Sequence, residues 1–101
     1  MSVKTEKHYC VYIMANKRKG TIYTGVRNDL LRRVDEHRRD AFPGFTKRYQ
    51  THMLVYFEET CDIDSALNYE KRIKKWTRKW KIKLIQVKNY EWVDLWDQIN
   101  G

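Results

Sequence analysis

The stretch "YCVYIMANKRKGTIYTG" at residues 9–25 constrains the fold more than any other in the chain. Two runs rich in tyrosine, valine, isoleucine and threonine flank "ANKRKG", which is polar and ends in glycine. Aromatic and β-branched residues suit a pleated backbone, and a short polar gap turns the chain back on itself. The pattern predicts a hairpin over residues 8–14 and 21–25. If its loop closes symmetrically, Ala15 stands opposite Gly20 and Tyr12 opposite Tyr23, with both rings on one face of the sheet. Such a pair serves sheet packing or marks one wall of a reactive site, and the rest of the chain decides between the two.

The remaining pattern supplies helices and one more strand. "VRNDLLRRVDEHRRD" sets Leu30, Leu31 and Val34 as a narrow apolar stripe over residues 29–39, with Asn28 as cap. "AFPGFTKRYQT" reads as a loop and "HMLVYFEE" as a third strand. "DIDSALNYEKRIKKWTRKW" predicts one long amphipathic helix, "KIKLIQVKN" a second helix or its continuation, and "YEWVDLWDQI" a short closing helix that packs its tryptophans. The expected fold is α+β: a small three-stranded antiparallel sheet flanked by helices, in the order β-β-α-β-α-α. A chain of 101 residues, 42% hydrophobic and 34% charged, makes one globular domain. Its core is expected over about 8–88, with a tryptophan-rich helical extension over about 89–101.

Charge narrows the partner. Lys and Arg number 21 against 13 Asp and Glu, a net +8, which favours a polyanion: nucleic acid first, an acidic membrane surface second. Residues 71–83 carry eight cations and no acid, interleaved by Trp76 and Trp80. Tryptophans four apart are expected as core anchors, with the cations as a phosphate-tracking rim. Arg27, Lys47, Arg48, Lys71, Lys74, Lys75 and Arg78 are the candidate nucleic-acid contacts. Cys10 and Cys61 lack metal-ligand spacing, no apolar leader is visible, and the longest apolar run has seven residues against about twenty for a membrane span. Reduced thiols, a cytoplasmic location and no membrane contact are expected.

Two positions depart from simple amphipathicity. In the long helix, Ile63, Ala66, Leu67, Ile73 and Trp76 follow helical spacing, and Glu70 interrupts them. An unpaired carboxylate there costs several kcal/mol, on the order of 3 or more. It either leans out to pair with Lys74 at i+4 or holds a cation near the face that bears the tyrosines. In the first helix, Arg33 and His37 share a face beside Leu30 and Val34. Arg32 has a surface partner in Glu36, whereas Arg33 has only Asp29 behind it and His37 ahead.

Taken in order, Tyr12, Tyr23, Arg33, His37 and Glu70 resemble the catalytic set of the GIY-YIG nuclease family. "VYI" at Val11–Ile13 matches the first motif and "YTG" at Tyr23–Gly25 the second. Arg33 follows ten residues later, His37 four beyond that, and Glu70 stands on a later helix. The run "GFTKRY…LVYFEE…YEKRIKKW" is similar to the small stand-alone bacterial members. Val11 replaces the motif's glycine, Thr24 its isoleucine, and Tyr90 stands where proline is expected. Val26 stands where the excision-repair nucleases of the family carry a lysine.

The resemblance implies hydrolysis of DNA phosphodiesters with one divalent ion, Mg²⁺ or Mn²⁺, held by Glu70. It implies Tyr23 as base with Tyr12 beside it, Arg33 on the phosphate, and His37 as an orienting or relaying group. Which phenol takes the proton stays open at this stage. Low sequence specificity, an accessory part in repair or recombination, branched or damaged DNA as substrate, a partner protein that supplies specificity, and a monomer or weak dimer are expected. A non-catalytic nucleic-acid-binding module that retains the fold is the second reading. A third makes "YEWVDLWDQING" a docking tail, against the simpler role of Trp92 and Trp96 in closing the core.

Overall fold

A computed structural model describes residues 9–39 and 50–100. The elements run β1 (Tyr9–Ala15), β2 (Ile22–Arg27), α1 (Leu30–Arg38), β3 (Met53–Thr60), α2 (Ile63–Lys75), α3 (Arg78–Lys88) and α4 (Trp96–Asn100). The strands form one antiparallel sheet in the order β2-β1-β3, the expected α+β arrangement.

β1 is buried along almost its whole length because both its faces are covered. Side chains alternate along a strand. Val11, Ile13 and Ala15 therefore pack under Ala66 and Ile73 of α2, Ile85 of α3, and Trp92. Cys10, Tyr12 and Met14 face the other way, against Leu30 and Val34 of α1, with Leu95, Trp96 and Ile99 completing that layer.

The hairpin closes two residues away from the register that symmetry suggested. Tyr12 pairs with Gly25, Tyr23 with Met14, and Ala15 with Ile22, so Tyr12 and Tyr23 are diagonal neighbours and not opposite each other. The loop itself sets this register. Asn16 Oδ1 accepts the Thr21 N–H at 2.8 Å, while the Asn16 N–H donates to the Thr21 carbonyl at 3.1 Å. Lys19 turns the chain in the left-handed region at φ 57°. The two-residue displacement keeps both rings on one face, because side-chain direction repeats every two residues.

On the β3 side the register shifts between Ile13 and Met14, leaving Val55 over as a bulge. The buried Asn89 at the end of α3 takes up the Val55 carbonyl, donating from Nδ2 at 3.0 Å. The same amide bonds both backbone groups of Val93 at 2.8 and 2.9 Å.

Three helix boundaries differ from the sequence pattern. Asp29, not Asn28, caps α1, with Oδ1 accepting from Arg32 N at 3.2 Å. The expected long helix is divided: Trp76 is extended (ψ 154°) and Thr77 caps α3 through its hydroxyl. A threonine at this position offers the hydrogen bond that the first helical N–H groups lack, so a new helix starts there at little cost. The closing helix begins only at Trp96, and Trp92 is buried at φ 59° outside any helix.

The segment after α3 passes from one side of the sheet to the other. Trp92 packs with the α2–α3 layer, Leu95 and Trp96 with the α1 layer. Between them, Leu95 N donates to Leu54 O at 2.7 Å and Asp94 Oδ1 accepts from Leu54 N at 3.1 Å, which covers part of the β3 edge. Arg38 of α1 locks this crossing, pairing with Asp94 at 2.6 Å and lying over the Trp96 ring at 4.9 Å. Trp92 and Trp96 thus close the two sides of the core. No helix among the described residues is long and apolar enough to cross a membrane.

Candidate active site

Four of the five residues singled out in the sequence meet on the α1 face of the sheet. β1 presents Tyr12 and β2 presents Tyr23, with ring centroids 6.4 Å apart and planes tilted by 51°. α1 runs over them so that Arg33 and His37, one turn apart, both point down. The His37 ring lies 5.9 Å from Tyr12, edge-on, and 5.3 Å from Tyr23. These separations fall in the range where aromatic rings attract.

Hydrogen bonds order the cluster. Arg33 Nε donates to Tyr12 Oη at 3.2 Å, and Tyr12 Oη lies 3.4 Å from His37 Nε2. The guanidinium can only donate, so Tyr12 Oη is the acceptor in that bond, and the tautomer of His37 sets which partner carries the proton in the other. Tyr12 is 1% exposed. Tyr23 is half-buried, so one phenol of the pair is enclosed and the other reaches solvent.

The electrostatics follow from that burial. Desolvation pushes Tyr12 up to about 12, with the Arg33 hydrogen bond opposing it. His37 is lowered to about 4, first by burial and then by the Arg33 charge, so its imidazole is neutral near pH 7. Burial works against the Arg33 charge, but its bonds to the Tyr12 and Tyr23 oxygens more than offset this and hold it protonated. The result is a fixed cation, partly open to solvent, beside a neutral acceptor and two phenols. Such a site can grip an anionic oxygen and pass a proton along a hydrogen-bonded chain.

Gly25 makes the enclosure possible. It stands opposite Tyr12, and a Cβ there would lie 2.6 Å from Tyr12 Oη and 2.7 Å from Cζ. The phenol occupies the space a side chain would fill.

Glu70 comes from a different layer. It sits on α2 between Ala66 and Ile73, which pack on the Val11–Ile13–Ala15 side of the sheet and not on the side that bears the tyrosines. Its side chain is 12% exposed, and Oε2 meets Lys74 Nζ at 2.6 Å, the i+4 pairing open to it from the sequence. α2 also crosses β2, the strand of Tyr23. Among the described residues, no group of three or more His, Cys, Asp or Glu side chains converges as a metal cluster.

The cationic candidates are dispersed. Lys71 and Lys75 are exposed on α2, and Lys74 is engaged with Glu70. Arg78 is exposed but reaches back to the hairpin loop, donating to the carbonyls of Lys19 (2.6 Å) and Gly20. Arg27 is half-buried on the Tyr12 face, pairs in register with Cys10, and its charge acts on Tyr12. Lys47 and Arg48 lie outside the described residues.

Two features escaped the sequence pattern. Glu36, matched there only with Arg32 (3.3 Å), also stands 3.6 Å from Arg33 Nη1 and braces the guanidinium from behind. Its i+3 spacing from Arg33 was the available signal. Trp80, expected in the core, is 61% exposed, because the break at Trp76 turns α3 away from the line of α2.

Comparisons with known proteins agree with this architecture. The family described as the GIY-YIG catalytic domain matches residues 8–83. UPF0213 protein SERP0126 of Staphylococcus epidermidis is 35% identical over 81 residues, covering 80% of this chain and 96% of its own. UPF0213 protein SSP2268 of Staphylococcus saprophyticus is 36% identical over 80 residues, covering 79% and 95%. The solution NMR structure of the UPF0213 protein BH0048 from Bacillus halodurans superposes with a TM-score of 0.54 at 26% identity, over 84% of this chain and 92% of that one. With the strand order, the paired tyrosines and the match across residues 8–83 in hand, the chain belongs to the GIY-YIG nuclease family.

Proposed function

We propose that the protein is a metal-dependent endonuclease that hydrolyses phosphodiester bonds in DNA, with Tyr23 as the base for the attacking water. The observation that carries this is the hydrogen-bonded chain from Arg33 through Tyr12 to His37, with Tyr23 the phenol that reaches solvent. Tyr12 is raised to about 12 and enclosed between Arg33 and His37, which makes it a poor base and a good anchor. Tyr23 stands against the same imidazole at 5.3 Å and is the phenol a water molecule can reach.

Arg33 carries a permanent charge, and its donors fork naturally onto phosphate oxygens. It offsets the charge that builds as the phosphate becomes five-coordinate, while Glu36 keeps it aimed. His37 holds Tyr12 and receives a proton only transiently, since its neutral form is favoured.

Glu70 is the proposed ligand for one Mg²⁺ or Mn²⁺. Its donor chemistry fits: a hard carboxylate, largely shielded from solvent, whose present partner Lys74 is a flexible, half-exposed side chain that can be displaced. Mg²⁺ takes one or two carboxylates and otherwise keeps its waters. When bound, such an ion supplies Lewis-acid stabilisation to a phosphate oxygen. DNA repair or recombination is the proposed setting, with low intrinsic sequence specificity and a cytoplasmic location. The chain is proposed to act as one domain, and Lys71 and Lys75 as phosphate contacts.

The test is cleavage of supercoiled, branched and single-stranded DNA by wild type, Tyr23→Phe, Arg33→Ala and Glu70→Ala, with Mg²⁺ or Mn²⁺. Wild type cuts and all three variants lose at least about a hundredfold in rate, the scale of a lost acid–base or oxyanion-stabilising group. Full activity in Tyr23→Phe refutes the base assignment. Salt-sensitive binding without cleavage by wild type moves the assignment to a non-catalytic nucleic-acid module.

A further inference from the structure

The outer face of α3 has no part in the site above, yet its composition is unusual. α3 carries Arg78, Lys79, Lys81, Lys83 and Lys88 and no acid. Of the four tryptophans, Trp92 is buried, Trp76 and Trp96 are half-buried, and Trp80 has 61% of its surface in solvent. Trp80 leans on Trp76 with ring centroids 5.9 Å apart, so the exposed indole is supported from behind. A shallow groove of about 200 Å³ runs beside it between Trp76, Trp80, Lys83, Leu84 and Val87, and Lys79 and Lys83 border the adjoining depression.

We infer that this face is a second nucleic-acid contact, at which Trp80 stacks on an unpaired base while Lys79 and Lys83 meet the flanking phosphates. The inference deepens the nuclease reading, on which it rests, by naming an unpaired strand as the substrate class. An indole among lysines supplies both things a single strand offers, π-faces and a phosphate every nucleotide. A second copy is disfavoured as occupant because it would bring five like charges against five. The apolar part, Trp80 and Val87, suits a base better than a bilayer.

The location also connects to the catalytic cluster. Arg78, at the start of α3, holds the carbonyls of Lys19 and Gly20, and β2 leaves that loop to reach Tyr23 three residues on, about 10 Å of extended chain. Because α3 and the Tyr23 ring lie on opposite sides of the sheet, a strand held at Trp80 would round the hairpin edge to reach Tyr23.

The test uses the full chain in EDTA, so that binding is read without cleavage. The probes are a labelled oligothymidylate of about 15 nucleotides, an abasic oligonucleotide of the same length, and phosphatidylglycerol–phosphatidylcholine vesicles. Wild type binds the base-bearing strand about tenfold more tightly than the abasic one, Trp80→Ala abolishes that preference, and Trp80→Phe restores most of it. Equal affinity of wild type for the two oligonucleotides, or an unchanged preference in Trp80→Ala, overturns the inference. Vesicle binding that depends on Trp80 without any base preference assigns the face to a membrane and overturns it too. A chain that shows the Trp80-dependent preference but cuts nothing with Mg²⁺ or Mn²⁺ refutes the nuclease reading and leaves the stacking contact standing.

Discussion

Replacing Gly25 by alanine isolates the closest approach in the candidate active site. The backbone at Gly25 does not occupy the left-handed region, so alanine can adopt it, and the cost is steric alone. The new Cβ would sit 2.6 Å from Tyr12 Oη, 2.7 Å from Cζ and 3.0 Å from Cε1. The ring cannot yield easily, since it is 1% exposed and tied to Arg33 and His37. Overpacking a dense core costs about 1–3 kcal/mol. Pulling the phenol from its partners adds about 1–2 kcal/mol. Gly25→Ala is therefore expected to destabilise the fold by about 3 kcal/mol. In a Tyr12→Leu background the clashing atoms are gone, and the same change is expected to lie within about 0.5 kcal/mol of neutral. Tyr12→Phe keeps Cζ and gives an intermediate cost. Urea unfolding followed by tryptophan fluorescence measures all six proteins. A cost equal in the three backgrounds would refute the reasoning, because it would trace the effect to the backbone of residue 25 and not to the phenol.

Other consequences are open to direct measurement. The folded pKa of His37, about 4, lies below its unfolded value near 6.5, so the unfolded chain binds the proton more readily between those limits. Stability is therefore full above about pH 6.5 and falls by up to about 3 kcal/mol as pH drops towards 4. Arg33, Glu36 and His52 are the charged and titratable neighbours that contribute to the His37 value. His37→Gln should flatten this limb of the pH profile, and an imidazole NMR titration with an ordinary midpoint would rule the argument out. Asn89→Ala strands the Val55 carbonyl and frees the turn at Val93, for an expected loss of about 2–4 kcal/mol by denaturant titration; a loss below about 0.5 kcal/mol would show that the bulge needs no such partner. Thr77→Ala removes the α3 cap and should cost about 1 kcal/mol, whereas Thr77→Ser should cost far less. Equal losses for both would mean that the hydroxyl does not start the helix.

How much of this was legible beforehand depends on the range of the interactions involved. Tyr12 and Tyr23 were placed on one face by parity alone, and parity survived a two-residue error in register. The register itself came from Asn16 closing the loop on Thr21 and from Gly25 making room for a phenol, contacts that no alternation pattern encodes. Arg33 and His37 shared a helix face by spacing, but their bonding through Tyr12 required α1 to settle on the sheet.

The tryptophans mark the division most clearly. Local pattern treated Trp76, Trp80, Trp92 and Trp96 alike, as apolar rings seeking a core. Their fates were decided by one capping threonine and one chain crossing, which expose Trp80, bury Trp92 at a positive φ and stack Trp96 beneath Arg38. The sequence by itself determined the strands, the helical stripes, the candidate site residues and the family, because period, parity and motif order are properties of neighbouring residues. The tertiary structure alone decided which phenol is enclosed, which indole is exposed and how the strands register, because each depends on how separate segments pack.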